Sequence, residues 1–276
     1  MHSKSTAGIP WFGYARLKWA TYCNGMSDGV FDAEVASGCD RDVEYMYAPE
    51  VLRPTVDFLE ACAAGYRALE FAVGTGRVAR ALSERGVNVV GIELSASTVD
   101  QLRAKPGADQ VPVTVGDMTT TRVEGEFGLV YLVFNTIGNL LTQDQQVECF
   151  RNAAAHLAEG GLFVIELEVP QLRKLPVGER FVAFKVDGGY AGIDEYDVVY
   201  QQLTSHHYNV EADGSGRLFA TPQRYVWPSE LDLMARLAGM RLRERWADFQ
   251  RNPFTAESTS HVSVWEKNES SAWATA

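Results

Sequence analysis

Between residues 66 and 168 the apolar positions fall in short runs separated by stretches of helical period. RALEFA, NVVGIE, VPVTVG, FGLVYLVF and GLFVIELE read as strands, because short apolar runs bounded by turn residues suit a sheet buried on both faces. Helices are predicted from Arg77, from Ser95 and over 142–159. In the last of these Thr142 can cap, Gln145 completes a capping box, Val147, Phe150, Ala154 and Leu157 share one face, and Gly160 is a stop. Strands alternating with helices require crossover connections, so the expected fold class is α/β with a mostly parallel sheet.

The flanks have other rhythms. Trp11, Tyr14, Ala15, Trp19 and Tyr22 are spaced to share one helical face, and a second helical pattern over 46–64 can end at Gly65. From 179 to 227 strand follows strand with no helix, and Ala212–Gly216 supplies a turn, which predicts an antiparallel insertion. A helix over Ser229–Ala238, stopped by Gly239, and strands near 240–249 and 259–267 complete the pattern. The expected organisation is a helical cap (1–65), an α/β core (66–178), a β insertion (179–227), a return to the core (228–267) and a frayed tail (268–276).

With 276 residues, 46% hydrophobic and 22% charged, the chain has the apolar content of a folded protein rather than a disordered one. Its net charge of −11 argues against a nucleic-acid partner, which needs clustered Lys and Arg. Arg241, Arg243 and Arg245 alternate at strand spacing and read as one solvated face. Cys23, Cys39, Cys62 and Cys149 make no metal-ligand spacing and read as reduced thiols; no metal is expected. No apolar run approaches membrane-spanning length and the N-terminus lacks a secretion-signal core, so no membrane partner is expected and the cytoplasm is the expected location.

The chemistry begins at LEFAVGTGR, which closes a strand, makes a tight turn and opens a helix. Small residues at Ala72, Gly74 and Gly76 allow a ligand close to the backbone, and the helix start offers unpaired N–H groups. Gly74–Ala79 also satisfies the dinucleotide fingerprint GxGxxG/A, with Glu93 at the end of the next strand as a ribose acid, so a nicotinamide-dependent oxidoreductase is one reading. Glu70 argues against it, since a carboxylate there suits a ligand ammonium and repels a pyrophosphate. Asp117 ends the third strand where it can accept from an adenine amino group, with Met118 beside it for apolar contact. The chain end, a helix and two strands, also differs from a second dinucleotide half.

The ordered set LEFAVGTGRVARAL, NVVGIELS, VTVGDM, LVYLVFNTIGNLL and LAEGGLFVIELEVP resembles the class I S-adenosylmethionine-dependent methyltransferases. YVWPSELDLMARLAGMRLRERW and PFTAESTSHVSVWEK are similar to a group of actinobacterial small-molecule methyltransferases, with sugar-amine N-methyltransferases and glycine N-methyltransferase as more distant relatives. The resemblance implies a Rossmann-like seven-stranded sheet with its last strand antiparallel, and S-adenosylmethionine as cofactor. It implies that Glu70 and Ala72–Gly76 hold the methionine end, Glu93 the ribose, Leu94 and Asp117 the adenine, and that Phe134 and Asn135 lie near the sulfonium. Ala72 departs from the usual glycine, for which tighter packing is expected. Arg77 is either a carboxylate contact or a helix-start residue paired with an exposed acid.

Ligands of open α/β sheets sit beyond the carboxyl ends of the strands, which directs an acceptor to Asn135, Thr136 and Glu166–Pro170, with the β insertion as lid. Continuous alternation over 194–211 places Tyr196, Tyr200, Thr204, His206 and Tyr208 on one lid face and Glu195, Asp197, Ser205 and His207 on the other. Those tyrosines are either a cation-holding surface or ordinary sheet packing. His206 by period, His207 by resemblance, or Glu166 would take a proton if the acceptor arrives protonated. Tyr22 is a further acceptor-side candidate, a homodimer stays open, and a catalytically silent S-adenosylmethionine-binding protein remains a second reading.

Overall fold

The computed structural model describes residues 17–19, 47–210 and 214–269. Strands β1 to β12 are Leu17–Trp19, Ala68–Phe71, Val89–Glu93, Val113–Val115, Phe127–Leu132, Leu157–Glu168, Phe181–Asp187, Tyr190–Asp197, Gln202–Val210, Gly216–Arg224, Met240–Trp246 and Ser260–Lys267. Helices α1 to α5 are Pro49–Ala63, Arg77–Ser83, Ala96–Arg103, Gln143–His156 and Pro228–Leu237.

The core sheet has seven strands in the order β11-β12-β6-β5-β2-β3-β4. β2 to β6 pair in parallel, while β12 runs antiparallel to both of its neighbours. Each residue of β2 and β3 is buried, as a sheet covered on both sides requires of their largely apolar sequences, and Glu70 and Glu93 are buried with them. One apolar cluster packs α4 and α5 on one face, through Phe150, Phe163, Leu231, Met234 and Trp265; the other packs α1 and α2 through Phe58, Leu59, Val78 and Leu82. The chain crosses from β4 back past β2 to β5, so the topological switch lies between β2 and β5, with a crevice at their carboxyl ends.

Helix α4 carries the complete Thr142–Gln145 capping box but ends at His156, and Gly160 lies inside β6 at a register shift against β5, so it bends a strand instead of stopping a helix. Residues 17–19 are a strand parallel to β10, which corrects the helical reading there; Trp11, Tyr14 and Tyr22 lie outside the described residues. β7 to β10 form the antiparallel insertion as a second sheet. A bulge between Leu242 and Glu244 overturns the expected arginine face: Arg245 turns inward, bonded to Asp232 at 2.7 Å and to Ser263 at 2.7 Å, while Arg241 and Arg243 stay exposed. No described helix is long and apolar enough to cross a membrane, and no metal-holding cluster occurs among the described residues.

Candidate active site

After β2 the backbone takes left-handed φ at Ala72 (51°), Gly74 (58°) and Gly76 (81°) and then enters α2. That geometry costs an alanine on the order of 1 kcal/mol, and Ala72 packs against the core cluster in partial compensation. The loop is fixed from beneath: Val73 donates its N–H to Ile92 O at 3.0 Å, and a Cβ on Gly91 would lie 2.7 Å from Val73 Cγ1. Glu93 closes the arrangement, its two oxygens accepting from the N–H of Gly74 (2.9 Å) and of Ser95 (3.0 Å). Burial raises the Glu93 pKa, and these amides and that of Leu94 pull against the shift.

Glu70 lies buried under the loop. Tyr131, its directly paired neighbour on β5, donates its hydroxyl to Glu70 Oε2 at 2.8 Å. Burial pushes the Glu70 carboxyl up to about 8, opposed by the Tyr131 hydrogen bond and by Arg77. Arg77 stands 5.9 Å from the Phe134 ring centroid and acts electrostatically on both Glu70 and Glu166, so it faces the crevice.

On the other side of Glu93, Leu94 is 38% exposed and Val115, paired with Glu93 across β3 and β4, is 48% exposed. This apolar strip leads to Asp117, whose Oδ1 accepts from the N–H and hydroxyl of Thr119, both at 2.7 Å. Met118 is buried, its side chain belonging to the core cluster, and its carbonyl accepts from Asn152 Nδ2 at 2.7 Å.

Beyond β5, Phe134 and Asn135 also adopt left-handed φ, 60° and 59°. Glu166 Oε2 accepts from the Phe134 N–H at 3.0 Å, and Asn135 Oδ1 accepts from the Glu168 N–H at 2.7 Å, so the loop is clamped to β6 with the Phe134 ring 46% exposed. Left-handed φ outside glycine concentrates at functional sites. Burial raises the Glu166 pKa, against the Phe134 amide and Arg77.

The lid departs from continuous alternation. Asp197 accepts from the N–H groups of Val199 (2.9 Å) and Tyr200 (3.2 Å), turning the chain between β8 and β9. Tyr196 therefore pairs with Leu203 and shares its face with Asp194, Ser205 and His207, whereas His206 and Tyr208 lie on the opposite face and Tyr200 is exposed in the turn. Tyr196 is buried, 5.6 Å ring to ring from Tyr225, and burial lifts its hydroxyl pKa to about 12. His206 contacts Glu195 at 3.0 Å. His207 stacks on Phe219 at 4.3 Å and bonds Tyr190 at 2.7 Å. Neither histidine makes a hydrogen bond to Glu166 among the described residues.

The lid face that carries Asp194 adds its charge to that of Glu168 at the end of β6. Asp194 accepts from Ser205 Oγ at 2.7 Å and raises the pKa of Glu168, second to desolvation; burial raises that of Asp194 itself. Glu168 lies within the 166–170 stretch that sequence reading assigned to the acceptor, whereas Asp194 was given no role there, nor was Lys105, which donates to Thr75 O at 3.0 Å. Tyr131 was accessible to it, because a hydroxyl inside an apolar strand needs an acceptor and Glu70 is the polar residue on the adjoining strand.

A family model described as a methyltransferase domain matches residues 68–161. The CcbJ methyltransferase of Streptomyces caelestis superposes with a TM-score of 0.72 at 38% identity, covering 79% of this chain and 89% of that one. An amino pentose methyltransferase of Micromonospora echinaspora, solved with S-adenosylmethionine bound, gives a TM-score of 0.61 at 18% identity, covering 83% of this chain and 96% of that one. Among curated proteins, the cypemycin N-terminal methyltransferase of a Streptomyces species is 26% identical over 208 residues, 74% of this chain and 84% of its own.

Proposed function

Because the chain belongs to the class I S-adenosylmethionine-dependent methyltransferases, we propose that it methylates an amine nitrogen of a small molecule, of the amino-sugar or natural-product kind. The observation that carries the choice of atom is the acidic wall of Glu166, Glu168 and Asp194 at the carboxyl end of β6, each with its pKa raised. Such a wall attracts an ammonium-bearing acceptor, and burial makes its carboxylates more basic than exposed ones, the direction a proton acceptor needs. A neutral hydroxyl would gain a hydrogen bond from the same wall but not the attraction between opposite charges. Two relatives whose names point to a substrate, an amino pentose methyltransferase and the cypemycin N-terminal methyltransferase, fit an amine acceptor.

The cofactor fits the residues present. The uncovered strip of Leu94 and Val115, ending at Asp117, suits a flat base with an amino group, and Glu93 at its edge suits ribose hydroxyls. Glu70 under the Ala72–Gly76 loop suits an ammonium, with the loop and Arg77 for the carboxylate. When bound, S-adenosylmethionine supplies an electrophilic methyl group on a sulfonium.

The residues of the chain then have three tasks. Phe134 and Asn135, clamped to Glu166 and Glu168, wall the space between cofactor and acceptor and fix the line of approach, a positioning effect that reaches roughly 7–11 kcal/mol in favourable cases. Asp194 and Glu168 hold the acceptor cation, with Tyr196 as the apolar side of its seat. Glu166, half-buried and nearest the Phe134–Asn135 loop, takes the proton the nitrogen must lose, which leaves a neutral amine with its lone pair free. His206 and His207 are engaged within the lid and act in its packing.

The test is to incubate the protein with S-adenosylmethionine and matched panels of small amines and alcohols, following methylated product and S-adenosylhomocysteine by mass spectrometry. Methylated amines that fail to form with Glu166→Gln would support the reading. Methylation of alcohols alone would overturn the choice of nitrogen, and cofactor binding with no transfer to any acceptor would favour a silent binding protein.

A further inference from the structure

The lid is joined to the core by a buried polar cluster that the reaction as described does not use. Arg224, the last residue of β10, is 4% exposed. Its guanidinium donates to Gln146 Oε1 at 2.5 Å, to Glu230 Oε1 at 2.7 Å and to Gln201 Oε1 at 3.0 Å. Gln146, fully buried on α4, turns its amide to the carbonyls of Ile137 (3.2 Å), Leu140 (3.2 Å) and Arg224 (3.3 Å). Glu230 also accepts from Gln143 at 2.8 Å and from Gln201 at 3.1 Å.

The places these residues come from give the cluster its meaning. Gln201 sits in the β8–β9 turn, at the end of the hairpin that carries Asp194 and Tyr196. Ile137 belongs to the short 3-10 turn Thr136–Asn139, which follows Phe134 and Asn135 directly. That turn lies flush on β10, since a Cβ on Gly138 would be 3.2 Å from Gln223 Oε1 and 3.6 Å from Arg224 O. Removing a guanidinium from water is costly, and an apolar contact would fasten the lid as well or better, whereas a fork with fixed donors imposes one geometry.

We infer that Arg224 and Gln146 are positioning residues, a polar latch through which the placement of the lid hairpin sets the position of the Phe134–Asn135 loop. The inference rests on the methyltransferase reading only in naming that loop as the place of transfer. The mechanical coupling is a separate statement about this fold.

The experiment places 4-fluorophenylalanine at position 134 and follows its fluorine resonance, with and without S-adenosylhomocysteine, in the parent protein, Arg224→Lys, Gln146→Leu and Gln201→Asn. Lysine keeps the charge but loses the fork. Asparagine suits the left-handed φ of 54° at position 201 while shortening the reach, so it tests the latch from the lid side even if the Arg224 variant fails to fold. The expected result is a displaced or doubled resonance in each variant, including the distant Gln201→Asn, with no further change when Gln201→Asn and Gln146→Leu are combined. A resonance that stays at the parental position in Gln201→Asn, with Gln146→Leu alone moving it, would overturn the latch and leave a local packing role. Calorimetric binding of S-adenosylhomocysteine to the parent reports separately on the methyltransferase reading.

Discussion

Tyr131 and Glu70 stand side by side on β5 and β2, and the 2.8 Å hydrogen bond between them is what stabilises a carboxylate buried below the cofactor loop. Replacing Tyr131 with Phe removes the side-chain hydrogen bond that, among the described residues, opposes the burial of Glu70. The Glu70 pKa is expected to rise further and S-adenosylmethionine binding at neutral pH to weaken by about tenfold, measured by titration calorimetry.

The same residue sets a pH dependence. The folded-state pKa of Glu70, about 8, lies above its ordinary value of 4.5, so the folded protein binds more protons between these limits and stability falls as pH rises through them. Glu70→Gln, which keeps an acceptor for Tyr131, is expected to be more stable than the parent near pH 8 and to lose that part of the slope, checked by chemical denaturation across pH. It is also expected to lose proton release on cofactor binding, read as a calorimetric enthalpy that no longer varies with the buffer.

His261 governs the acid side. Burial, followed by the charge of Arg245, lowers its pKa to about 3, and its Nε2 has no hydrogen-bond partner among the described residues. A depressed histidine leaves stability intact above about pH 6.5 and withdraws it as pH falls from there toward 3. His261→Phe should flatten this acid limb in thermal melts from pH 7 to 4.

Gly91 tests how closely the sheet supports the loop. A methyl group there meets Val73 at 2.7 Å, so Gly91→Ala is expected to cost about 1–3 kcal/mol and to weaken cofactor binding by shifting the loop. Loss of stability with unchanged affinity would show that the core absorbs the strain without moving Val73.

The core was legible because its strands are short, largely apolar runs bounded by turn residues, and because burial on both faces leaves few alternatives for VVGIE or FGLVYL. Glu70, Glu93 and Asp117 stand out as polar residues at strand ends. The lid was less legible for a definite reason: Val198, Val199 and Tyr200 are strand formers that Asp197 bends into a turn, and a turn shifts every later residue to the other face. The bulge that turns Arg245 inward has no signature in RLRERW. Met118 followed its burial instead of its neighbour Asp117. The Arg224 latch joins residues 78 positions apart, from Gln146 to Arg224, and no local pattern announces such a contact.

The most direct test is calorimetric titration of the protein and of its Glu93→Gln variant with S-adenosylmethionine and S-adenosylhomocysteine, with NADH as the control. Glu93 bridges the glycine loop and the start of α3 with two carboxylate oxygens, and the amide of glutamine can accept from only one of those N–H groups. Binding of both sulfur nucleotides to the parent, weaker by about tenfold or more in the variant and absent for NADH, is the expected result. Failure of the parent to bind either, or equal binding by the variant, would contradict the placement of the cofactor in this crevice.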